Sequence, residues 1–75
     1  MHQLEIRYCV IWNYKPYAAS MAESIKTHFG LETTLTPGGR GEFTVWVNSK
    51  NVITKEGDDF PLEDQIISAV RQSIS

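Results

Sequence analysis

Cys9 is the residue of this chain whose type and position could do covalent chemistry, and what surrounds it decides which kind. It lies in Tyr8-Cys9-Val10-Ile11-Trp12, where an alternating, strand-like stretch gives way to a helix-like one. A thiol at such a junction suits thiol–disulfide exchange, and a C-x-x-C pair would place a second thiol at position 12. That position holds Trp12, and the chain has no other cysteine. A dithiol cycle requires one thiolate to attack and a second thiol to resolve the mixed disulfide, so an intramolecular cycle is excluded. Monothiol chemistry is left: Cys9 is glutathionylated, or oxidised to a sulfenic acid, and an external thiol restores it. Such reactivity needs a lowered thiol pKa, for which the following helix start, Arg7 and Lys15 are the nearby sources of positive potential. The opposing reading makes Cys9 a small buried residue at a strand end, where free cysteines commonly sit.

Val10, Ile11, Trp12 and Tyr14 put more apolar surface on one connection than a solvated loop needs. Trp12, Asn13, Tyr14, Pro37 and Phe60 are therefore the candidate partner-contact residues, with Trp12 as an aromatic anchor. The plainer reading of Trp12 is core packing, or a lid on the loop. Pro37-Gly38-Gly39-Arg40-Gly41 lacks the Lys-Ser/Thr ending and following helix of a phosphate loop, and reads as a connection between strands. His2 and His28 are expected to face solvent, and Asp58-Asp59 with Glu56 reads as an acidic turn before a helix. No Ser-His-Asp set, paired carboxylates or zinc spacing emerges, so no metal is expected.

The elements that must position Cys9 follow from periodicity. Leu4, Ile6 and Tyr8 alternate with Glu5, Arg7 and Cys9, a strand with one wet face. Pro16 opens a helix over Lys15 to Phe29 whose apolar stripe is Ala18, Met21, Ala22, Ile25 and Phe29, with Gly30 as its C-terminal cap. Leu31, Thr33 and Leu35 mark a second strand. A third starts at Glu42 with Phe43, Val45 and Val47 alternating, leaving Trp46 on the open sheet face. Asn48 to Asn51 reads as a polar hairpin loop leading to Val52-Ile53-Thr54. Pro61 offers the start of a second helix, striped by Leu62, Ile66, Ile67, Val70 and Ile74, with Phe60 packed back on its first turn as a staple.

The order is β-α-β-β-β-α. Parallel strands joined by the first helix, with an antiparallel hairpin added, make a mixed sheet. The charges at Glu5 and Arg7 leave one sheet face to water, so both helices are expected on the other. This predicts an α/β chain of the α+β two-layer kind, a reduced thioredoxin-like fold in which residues 1–75 form one domain.

With 75 residues the chain buries only about 60% of its unfolded surface, so the core must be well packed. A net charge of −2 with interspersed acids and bases provides no phosphate-binding stripe and argues against nucleic acid. No apolar run approaches the ~20 residues that span a bilayer, and no export signal is seen, so no membrane association is expected. One unpaired thiol points to a reducing compartment, most simply the cytoplasm. The oligomeric state stays open, since an exposed sheet face with Trp46 and an edge strand would permit dimerisation.

Tyr8-Cys9, Tyr14-Lys15-Pro16, Pro37-Gly38, Gly41-Glu42-Phe43 and Phe60-Pro61 follow one another over nearly the whole chain. In that order and spacing the chain resembles the selenoprotein W-like (Rdx) family of small thioredoxin-like domains. The resemblance implies thiol redox chemistry, often linked to glutathione, at a C-x-x-C or C-x-x-selenocysteine site. Cys9 matches its first position and Trp12 its second, so the site is degenerate. It also implies that Pro37 borders the redox loop, as a proline before the third strand does in larger thioredoxin-like proteins. The expected function is at most monothiol or glutathione-linked redox activity through Cys9, with glutathione as co-substrate and no other cofactor. The alternative is a non-catalytic protein-binding module that uses the Cys9–Tyr14 loop.

Overall fold

The alternation of Leu4, Ile6 and Tyr8 becomes β1 (Leu4–Tyr8), and the rest of the predicted order follows in a computed structural model describing residues 2–57 and 59–74. The other elements are α1 (Lys15–Phe29), β2 (Thr33–Pro37), β3 (Phe43–Val47), β4 (Lys50–Thr54) and α2 (Glu63–Ile74). Asp58 of the expected acidic turn lies outside the described residues.

The strands form one mixed sheet in the order β2-β1-β3-β4. β1 runs parallel to β2 and antiparallel to β3, and β3 pairs antiparallel with β4. β1 is therefore hydrogen-bonded on both sides, and Cys9 leaves its C-terminal end.

One sheet face carries Leu4, Ile6 and Tyr8 from β1 and Phe43, Val45 and Val47 from β3. Ala18, Met21 and Ile25 of α1 and Ile66, Ile67 and Val70 of α2 close over them in a single apolar cluster, so both helices cover the same face. The fold is two-layered α+β, as the alternation of charged and apolar residues required.

The opposite face is polar and internally paired. Glu5 accepts hydrogen bonds from Thr36 Oγ1 at 2.7 Å and Arg7 Nε at 3.3 Å, and the Arg7 guanidinium lies 4.2 Å from the Trp46 ring centroid. Trp46 Nε1 donates to Thr44 Oγ1 at 2.8 Å, so this tryptophan is fixed on the open face where the alternation put it.

Several boundaries differ from the sequence expectation, each for a local reason. Leu31 packs on the core from outside β2, which begins at Thr33. β3 begins at Phe43, one residue after Glu42, whose carboxylate is committed to the preceding loop. The hairpin turn is only Asn48-Ser49, both with positive φ (53° and 70°), a tight two-residue turn that starts β4 at Lys50 rather than Val52.

α2 begins at Glu63, not Pro61. Leu62 acts as its N-cap: its carbonyl accepts the Ile66 N–H at 3.0 Å, and its own N–H donates to Gln65 Oε1 at 2.8 Å, half of a capping box. Leu62 is thereby turned out of the apolar stripe and is 63% exposed. Phe60 packs against the core cluster and its ring meets Tyr14, Tyr17 and Phe43.

Candidate functional site

β1 ends at Tyr8, and the chain folds at once into a tight turn. The Asn13 N–H donates to the Val10 carbonyl and the Tyr14 N–H to the Cys9 carbonyl, both at 3.0 Å. Asn13 takes a left-handed conformation (φ 58°), which asparagine tolerates well. The turn brings the Trp12 N–H to 3.3 Å from Cys9 Sγ. Cys9 is therefore not on the wet face with Glu5 and Arg7: the turn carries it inward, leaving it 1% exposed.

A second segment completes the surroundings of the sulfur. The Gly38 N–H donates to the Tyr8 carbonyl at 2.8 Å, tying the β2–β3 connection to the end of β1. Gly41 follows with φ 71°, in the left-handed region. Burial pushes the thiol pKa up, but the amides of Gly41, Trp12 and Ile11 and the charge of Arg40 outweigh it and hold it below the ordinary thiol value. The cation acting on the thiol is thus Arg40. Arg7, expected to contribute, is engaged over Trp46 instead, and Lys15 adds nothing to this balance.

Trp12 lies across this arrangement. A Cβ on Gly41 would stand 2.7 Å from Trp12 Cζ3, so the indole rests directly on the glycine backbone while 51% of the residue stays exposed. Val10 and Ile11 beside it are 58% and 70% exposed. From Trp12 a series of rings leads inward. Tyr14 lies 6.1 Å from Trp12 and 4.7 Å from Phe60, and Tyr17 lies 4.5 Å from Phe60 and 5.1 Å from buried Phe43. The Tyr17 hydroxyl donates to the Pro61 carbonyl, fixing the chain that carries Phe60.

Of the sequence candidates, Cys9, Trp12, Tyr14 and Phe60 thus share one end of the molecule. Asn13 is the exposed turn residue, and Pro37 is the exposed last residue of β2, opposite Tyr8 in the ladder. Because Trp12 is half exposed, a Trp46→Phe variant should show red-shifted emission that iodide quenches. A blue-shifted, unquenched spectrum would contradict this placement.

Sequence reasoning missed Arg40, Gly41 and Glu42. Glu42 accepts the Gly39 N–H and the Thr44 hydroxyl, each at 2.7 Å, and so pins the loop that carries Arg40 and Gly41. The Gly39 amide, the Thr44 hydroxyl and the nearby Arg7 charge hold its carboxyl below the usual value despite partial burial. The available signal was a carboxylate directly after a glycine-rich run. Since its folded pKa is depressed, Glu42 stabilises the fold above the unfolded carboxylate pKa, and this is lost as pH falls through the lower folded value. Glu42→Gln should therefore cost up to about 1 kcal/mol near pH 7. In urea unfolding the gap should narrow as pH falls below the ordinary carboxylate pKa of about 4.3, and a gap constant with pH would contradict the assignment.

Among the described residues no group of three or more His, Cys, Asp or Glu is placed to hold a metal ion, and no helix is long and apolar enough to cross a membrane. A hollow of about 450 Å³ on the open sheet face, lined by His2, Glu5, Glu32 and Trp46 among others, does not include Cys9.

Comparison with known proteins agrees with this fold. The Rdx family model matches residues 3–72. The chain belongs to the Rdx family. A crystal structure from Bordetella parapertussis has 28% sequence identity and a TM-score of 0.88, covering 97% of this chain and 98% of the other. The crystal structure of a selenoprotein W-related protein from Vibrio cholerae also has a TM-score of 0.88, at 24% identity, covering 99% and 98%, and speaks to the fold alone. No match was found among curated proteins. In this Rdx chain the thioredoxin-like fold carries Cys9 and Trp12 in the turn between β1 and α1.

Proposed function

We propose that this Rdx protein performs monothiol redox chemistry through Cys9, with glutathione as co-substrate. The observation that carries the reading is the set of groups around the sulfur: three backbone amides and the Arg40 charge favour the thiolate, the form that attacks disulfides. The Cys9 thiolate attacks the glutathione sulfur of a substrate–glutathione mixed disulfide; that S–S bond breaks, a protein–glutathione disulfide forms, and the substrate leaves as its thiolate. A glutathione thiolate then attacks the glutathione sulfur of the protein–glutathione disulfide, returning Cys9 as thiolate and forming oxidised glutathione. With no thiol at position 12, this protein relies on the external step for resolution. A reducing compartment such as the cytoplasm would supply the glutathione.

Intact-mass measurement after incubation with oxidised glutathione tests the reading. One glutathione adduct is expected on the native protein and none on Cys9→Ser. Modification only after unfolding would sink it.

A second reading rests on the exposure of Val10, Ile11 and Trp12, an apolar patch of the kind that protein partners cover. In that reading the Cys9–Tyr14 loop binds a protein without catalysis. Binding that persists unchanged in Cys9→Ser and fails in Trp12→Ala would favour it.

A further inference from the structure

The sulfur of Cys9 is nearly inaccessible, yet the residues next to it in sequence are among the most exposed apolar side chains of the molecule. Trp12 connects these two facts. Its amide lies 3.3 Å from Cys9 Sγ and its indole lies on Gly41, so one residue both borders the buried thiol and covers the loop beside it. The seat for the ring exists because position 41 is glycine: its φ of 71° favours a residue without Cβ, and a Cβ would occupy space the ring takes. On its outer side the indole meets solvent and one edge-on contact with Tyr14. It can therefore leave without opening the core.

We propose that Trp12 is a gate on Cys9: with its indole seated on Gly41 the thiol is closed to disulfides, and reaction proceeds through the minor population in which the ring has swung away. This rests on the reading of Cys9 as the working thiol and assigns control of its access to the residue that replaces the second thiol. The rate of a covered group scales with the fraction of molecules that are open. A gate of this kind slows reaction with every disulfide without altering the sulfur's own hydrogen bonds, since the position 12 amide remains whatever the side chain.

The test measures the pseudo-first-order rate at which the native protein releases coloured thiolate from dithiobis-nitrobenzoate, across pH, for wild type, Trp12→Ala, Trp12→Phe and Gly41→Ala. Near-ultraviolet circular dichroism confirms that each variant is folded. In this reaction the Cys9 thiolate attacks the aromatic disulfide, one S–S bond breaks as another forms, and one nitrothiobenzoate leaves.

Trp12→Ala is expected to raise the high-pH plateau at least about tenfold while the midpoint stays below the ordinary thiol value. Gly41→Ala, which unseats the ring, should also raise it, and Trp12→Phe should fall between wild type and Trp12→Ala. Plateaus equal within about twofold, or a moved midpoint with an unmoved plateau, would overturn the gate. Faster reaction of the opened variants with the aromatic disulfide, but no glutathione adduct on any of them, would leave the gate standing and remove the glutathione reading instead.

Discussion

Phe43→Ala is expected to lower the stability of the fold by about 3–5 kcal/mol, the usual cost of emptying a fully buried aromatic site. Phe43 is 1% exposed and packs against Tyr17 at 5.1 Å and Phe60 at 5.4 Å, so no solvent-facing route lets the cavity collapse cheaply. At about 0.05–0.15 kcal/mol per residue a domain of this size holds roughly 4–11 kcal/mol, so the loss takes a large share of it. The site should suffer with the core. Phe43 lies opposite Tyr8 in the ladder, directly before Cys9, and directly follows the loop that supplies Arg40 and Gly41. Urea unfolding followed by circular dichroism gives the free energy, and thiol labelling of the same samples should approach the rate of the unfolded chain. A loss under about 1.5 kcal/mol would mean that Phe43 is not the link between core and site.

Trp12→Cys is expected to reverse the chemistry of the site, converting a monothiol into a dithiol that closes on itself under mild oxidation. The turn already has the required form: two hydrogen bonds fold it, and the position 12 amide is 3.3 Å from Cys9 Sγ. Little rearrangement is needed to bring the second sulfur within bonding reach. The oxidised variant should weigh two hydrogens less than its reduced form and resist glutathionylation. Reductant should restore both thiols to alkylation. A variant that takes up glutathione at both cysteines without closing the internal bond would show that the turn has lost the geometry of a redox pair.

The scaffold was legible because its signals are local and repeated. Leu4, Ile6 and Tyr8 against Glu5 and Arg7 fixed both the strand and which face meets the helices, and the spacing of Ala18, Met21 and Ile25 fixed the buried side of α1. Leu62 misled for an instructive reason: its spacing to Ile66 is the same whether it opens the stripe or caps the helix, and only the Gln65 hydrogen bond separates the two.

The site was legible in its first half, the Cys9 turn, and hidden in its second. Gly41 contributes by seating the Trp12 ring, and glycine carries no side-chain pattern to read. Its proximity to Cys9 arises from the pairing of β1 with β2 and β3, contacts far apart in sequence. Arg40 was overlooked because nearness along the chain favoured Arg7 and Lys15, whereas nearness in space is set by the loop that Glu42 pins.

The place of β1 between β2 and β3 has a mechanical consequence. A molecule joined to Cys9 by a disulfide is anchored at the end of the strand with ladders on both flanks, and pulling on it loads those two ladders in shear together. Edge strands β2 and β4 peel away one ladder at a time. A pull applied through Cys9 is thus resisted by two ladders of backbone hydrogen bonds, where a pull on an edge strand meets one.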